Sequence, residues 1–282
     1  MVAKALPIAA GAGCGLAIVA TVDYREESLW EVWAALAVAL TTAAGAVFVF
    51  GAARLKELSR EARDLRAVAV PLTASLGGAI LAVAYPLLQG NTSGWRGPAL
   101  VGLAIVGALP AGCTIHAVRR SAHAGLPEAT TNGERTARLI ELGRLLRRRL
   151  LPAVGSLVAL STLALGAAVE LQNIRALDSA GAASESIPTE VTLVFGATGS
   201  LLVALLYVPA ASAIRREGER LRDALFSLRD ANEGAQLSDL AERRRRFEQL
   251  LEIDRDVFAD LQTGAIVMGP VISSAIGGFL PA

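Results

Sequence analysis

The sequence predicts an all-α fold: a polytopic bundle of about seven transmembrane helices with amphipathic helices on its cytoplasmic side. Three observations carry this expectation. Hydrophobic residues make up 53% of the 282-residue chain and charged residues only 19%, against about 25% charged in soluble domains. The mean hydropathy is +0.49. The charges are also clustered, leaving apolar stretches long enough for a hydrocarbon core of about 30 Å.

Seven such stretches occur in order: Ala5–Val22, Leu29–Ala53, Ala67–Leu88, Pro98–Val118, Leu150–Leu171, Val191–Ile214 and Val257–Leu280. Strands are excluded at these lengths, because each backbone amide in hydrocarbon needs a partner within its own segment. The organisation expected is a six-span region over 1–214, a cytoplasmic helical segment over 215–256 and a C-terminal span over 257–282. The N-terminus has Lys4 before an apolar run but no A-x-A site immediately ahead of Asp23, so the first helix is expected to be retained.

Orientation follows from the basic residues between the stretches. Of 27 lysines and arginines, only Arg25, Arg96 and Arg175 fall on one set of alternate connections. The others fall on the opposite set, which places the N-terminus and the long loops in the cytoplasm and the C-terminus outside. Tyr24, Trp30, Trp33 and Trp95 fall at the expected outer boundary, where amphipathic rings favour the headgroup region. Arginine far outnumbers lysine and alanine is abundant, a codon-level hint of a GC-rich bacterial genome and hence of a bacterial inner membrane.

The connections themselves are patterned. Leu55, Leu58, Ala62 and Leu65 continue a stripe from the second stretch, and Leu139, Leu142, Leu146 and Leu150 form one ahead of the fifth, with Asn132 as the expected N-cap. The sixth connection reads as one helix over 214–228, a polar break, and a second helix over 237–261. Leu237, Leu240, Phe247, Leu251, Phe258 and Leu261 follow a heptad seam in that second helix, interrupted by Arg244 and Asp254. Arg147, Arg148 and Arg149 fall at the membrane surface and are expected to meet lipid headgroups.

Chemistry is sparse. Gly11-x-Gly13-x-Gly15 follows no strand and no lysine reaches for a phosphate, so Gly11-x-x-x-Gly15 reads as a helix-contact motif. Cys113 and His116 share a helix face, but His123 is the only other histidine and zinc needs four ligands. Both cysteines, Cys14 and Cys113, read as buried free thiols. No serine in a span has an obvious base, and no span carries a central charge; Glu170 is the deepest carboxylate. Pro110 and Pro270 are the most internal prolines and are expected to kink their helices. Ala265, Gly269, Ser273 and Gly277 recur every fourth residue in the last stretch, a small-residue stripe suited to helix packing or to a pore lining.

No cofactor, metal or catalytic group is expected. Arg243–Arg246 are interleaved with Glu242, Glu248 and Glu252, which argues against nucleic acid. The expected partners are the lipid bilayer and a cytoplasmic protein or a second copy of the chain. The expected role is a non-enzymatic scaffold, anchor or pore-type component acting through its cytoplasmic helices, with small-solute transport as the alternative.

Overall fold

The computed structural model describes residues 2–21, 28–61, 96–123, 131–178, 190–227 and 234–251. They are almost wholly helical, with no strand among them. In chain order the helices are α1 (Val2–Ala20), α2 (Ser28–Glu61), α3 (Arg96–His123), α4 (Asn132–Leu145), α5 (Leu151–Asp178), α6 (Glu190–Leu225) and α7 (Gly234–Leu251). A single π turn, Leu146–Leu150, joins α4 to α5 without a break.

Four helices are long and apolar enough to cross a membrane: Leu29–Leu58, Ala99–Ala122, Asn132–Ile174 and Val194–Leu225. Each overlaps a stretch expected from sequence. The apolar part of α1, Ala5–Ala20, is shorter than these. The expected stretches at Ala67–Leu88 and Val257–Leu280 lie outside the described residues, and so do Tyr24, Trp95 and Pro270.

Helix α2 is the hub, packing on α1, α3 and α5. Glycines bring its backbone against both of its closest neighbours. On one side Gly11 and Gly15 of α1 meet Thr41, and Gly45 of α2 meets the backbone of Pro7 and Ile8. Low numbers on α1 therefore pair with high numbers on α2, and the two helices run antiparallel. On the other side a β-carbon at Gly107 would lie 2.7 Å from Ala44 Cα, and one at Gly51 would lie 2.5 Å from Ala111 N. Here numbers rise together, so α2 and α3 run parallel. Two further contacts, Gly199 against Val158 and Gly166 against Thr192, set α5 and α6 antiparallel.

Several polar groups inside this bundle are hydroxyls that bond to helix carbonyls. Thr114 Oγ1 lies 2.7 Å from Pro110 O on its own helix and 3.0 Å from Gly51 O on α2. The absent side chain at Gly51 is what lets that hydroxyl reach across. Thr41, Ser161 and Thr162 bond back to carbonyls three or four residues earlier, which satisfies their donors without a partner helix. Trp33 is only 3% exposed, so its ring packs inside the bundle rather than facing outward as the boundary pattern implies. Cys14 is exposed, contrary to the expectation of a buried thiol, whereas Cys113 is buried.

The glycine contacts make a direct prediction. Gly51→Leu and Gly107→Leu each force a side chain into a neighbouring backbone and should destabilise the folded protein in detergent by at least about 1–3 kcal/mol, the usual range for overpacking. Gly13, with nothing within 4 Å of its would-be β-carbon, should accept alanine with no loss, since alanine is the better helix former. Thermal unfolding of the three variants in one detergent checks the contrast.

Candidate functional site: the charged helical layer at one end of the bundle

The helices α2, α3 and α6 each end in arginine-rich turns, and those turns meet α4 at a single end of the bundle. Arg54, Glu57 and Leu58 of α2 border Arg138, Glu141, Leu142 and Leu145 of α4 around a cavity of about 30 Å³. Ser121 and Ala122 of α3, with Glu217 and Leu221 of α6, border Arg135, Arg138 and Leu139 around another of about 20 Å³. Both cavities are water-sized.

The stripe on α4 explains this docking. Leu139, Leu142, Leu146 and Leu150 are all buried, as their 3-4-4 spacing requires of an amphipathic helix lying on a bundle. The helix start differs from expectation by one residue. Thr131, not Asn132, is the N-cap: the Glu134 amide donates to Thr131 Oγ1 at 3.3 Å, and the Thr131 amide donates to Glu134 Oε2 at 2.9 Å. This is a complete capping box, with both free amides satisfied reciprocally. The stripe then crosses the π turn, where Leu146 and Leu150 stay buried and which also carries Arg147–Arg149. Arg148 and Arg149 are exposed and Arg147 is half-buried.

Helix α6 also departs from the expected pattern. No separate helix begins at Ile214; α6 continues from Glu190 to Leu225 as a single 36-residue rod, about 54 Å long. Past its end α7 folds back on it. Arg222 of α6 lies 2.5 Å from Glu248 of α7, and Arg244 of α7 lies 2.5 Å from Asp223 of α6. Arg222 also pairs with its neighbour Asp223 at 2.9 Å, and Arg244 approaches Glu248 at 3.9 Å. Two cations and two carboxylates thus alternate in a closed ring. Arg222 and Arg244 are only 18% and 22% exposed, so solvent screens the ring less than an open surface pair. Beside it, Phe226 and Phe247 meet edge to face at 5.5 Å, and Leu251 is buried.

Among the expected seam residues, Phe247 and Leu251 face the bundle, Leu240 is half-buried and Leu237 is exposed. Phe258 and Leu261 lie outside the described residues, as do Ala265, Gly269, Ser273 and Gly277. Arg244, which breaks the apolar pattern, sits within the same face and is one of the two cations of the charged ring. The ring was invisible to a reading of apolar periodicity, because it uses charged residues at seam positions. Cys113 and His116 are one turn apart on α3, and no group of three or more His, Cys, Asp or Glu side chains gathers among the described residues.

The ring makes a measurable prediction. A double-mutant cycle on Arg222→Ala and Glu248→Ala should give a coupling of about 1 kcal/mol, near the upper end for exposed pairs, and should shrink in high salt. Phe247→Ala should loosen α7 by proteolysis without unfolding the spans. No known protein family, characterised protein or solved structure matches this chain.

Proposed function

We propose that this chain is a multi-pass protein of a bacterial cytoplasmic membrane that acts as a non-enzymatic scaffold. In this reading it has seven spans, with its N-terminus inside and its C-terminus outside. Its cytoplasmic helices present a fixed surface to a protein partner or a second copy. The observation that carries the reading is how α7 is held. Its inner face is clamped to α6 by the four-charge ring and Phe247, while Leu237 near its start and Leu250 near its end are 42% and 58% exposed. A helix fixed in place with apolar side chains turned outward is suited to recognition, because its ordering cost is met before a partner arrives.

The four long apolar helices support membrane insertion. The gathering of arginine-rich turns at one end of the bundle supports the orientation, since basic residues are retained on the cytoplasmic side. Continuity supports the scaffold role: α2, α4–α5 and α6 each pass unbroken from apolar span to charged layer, so the surface is fixed relative to the membrane.

Two measurements test this. Cysteines placed at Thr130 and Ala235 should label only from inside, and those at Ser93 and Ser184 from outside; labelling of Ala235 from outside overturns the orientation. A photo-crosslinking residue at Leu250 in native membranes should give an adduct of discrete mass, lost when Arg222→Ala and Glu248→Ala release α7. Absence of any adduct from Leu250 and Leu237, together with solute flux through liposomes holding the purified protein, replaces the scaffold by a transporter.

A further inference from the structure

Most arginines far from the spans are neutralised. Arg220 pairs with Glu217, Arg243 with Asp239 and Arg246 with Glu242, and the ring described above balances Arg222 and Arg244. Nearer the apolar spans some are paired, as Arg54 is with Glu57 and Arg215 with Glu219, and four are not. Arg119 at the end of α3, Arg144 and Arg149 around the π turn, and Arg216 on α6 are all exposed. None of the four has a hydrogen bond or ion pair among the described residues.

Arg119, Arg149 and Arg216 occupy a narrow band. Ser121 and Ala122 of α3 lie level with Glu217 and Leu221 of α6 around one cavity. Arg119 is two residues nearer the span than Ser121, and Arg216 one residue nearer than Glu217, shifts of about 3 Å and 1.5 Å. The π turn carrying Arg149 packs against both α3 and α6. All four side chains are exposed, and none lines either of the two cavities described above. Free phosphate, which binds best where several donors meet in a pocket, has no such enclosure here, whereas a sheet of lipid phosphates at that depth needs none.

We infer that this band binds the anionic phospholipid headgroups of the surrounding leaflet, holding the bundle at a fixed depth and favouring acidic over zwitterionic lipid. The inference rests on the membrane reading above and adds a lipid preference to it. It uses guanidinium–phosphate contacts, which are charge-assisted and geometrically matched. Each juxtamembrane arginine near an anionic surface contributes about fivefold in affinity.

The test compares wild type with Arg119→Gln/Arg149→Gln/Arg216→Gln, and with the paired-arginine control Arg243→Gln/Arg246→Gln. Each is placed in bilayers of phosphatidylglycerol and phosphatidylcholine, extracted gently, and the ratio of retained lipids is read by mass spectrometry. Wild type and the control should retain phosphatidylglycerol in excess, and the triple variant should lose at least about fivefold of that enrichment. Inorganic phosphate at millimolar concentration should not displace the retained lipid; displacement overturns the headgroup assignment in favour of a free-anion site. Equal enrichment in wild type and triple variant, with insertion intact by protease protection, overturns the inference alone. Failure of wild type to insert into either bilayer overturns the membrane reading and the inference together.

Discussion

In hydrocarbon two helices gain nothing by hiding leucine from lipid tails, so the approach of α2 to its neighbours depends on how closely backbones can come together. Gly11, Gly15 and Gly45 set that distance toward α1, and Gly51 and Gly107 set it toward α3. Dispersion contacts are individually small and accumulate only at close range. The same closeness lets Thr114 share its hydroxyl with Gly51 O, placing a polar contact inside the bundle where no water competes. With α2 fixed between α1 and α3, the turns that follow the spans of α2 and α3 emerge side by side.

That adjacency is what α4 uses. Its leucine stripe lies across the ends of α2, α3 and α6, and the π turn passes the stripe into α5 without a loop. A flexible connection would let the charged layer drift relative to the spans; a continuous helix does not. The layer is then completed by α7, whose attachment is of another kind. Two ion pairs, one aromatic contact and the buried Leu251 side chain hold it, so part of its hold depends on salt in a way that the glycine contacts do not. The bundle therefore combines a core fixed by packing with an outer helix fixed partly by charge.

Much of this architecture was legible in the sequence. Long apolar stretches report helices because length and composition alone meet the membrane's demands, and the four long helices overlap the stretches drawn from those features. The Leu139–Leu150 stripe was readable because a 3.6-residue period survives the π turn. The Thr131 cap was missed in favour of Asn132, although Thr131-x-x-Glu134 spells a capping box. The charged ring was not legible. Arg222, Asp223, Arg244 and Glu248 lie 21 to 26 residues apart across the turn, and only the angle at which α7 folds back brings them together. Gly45 and Gly51 were similarly silent, because a glycine among many in an apolar helix does not say which neighbour it faces. Trp33 followed the composition of a boundary residue while its burial was decided by packing.

The central claim is that packing within the bundle fixes the position of the charged layer outside it. Spin labels at Lys56 on α2 and Ala241 on α7, both exposed, report this directly through the distance distribution between them in lipid bilayers. One narrow population is the result expected of a rigid platform. A broad distribution at low salt, with the spans still folded, would mean that α7 is tethered rather than fixed and would contradict the account.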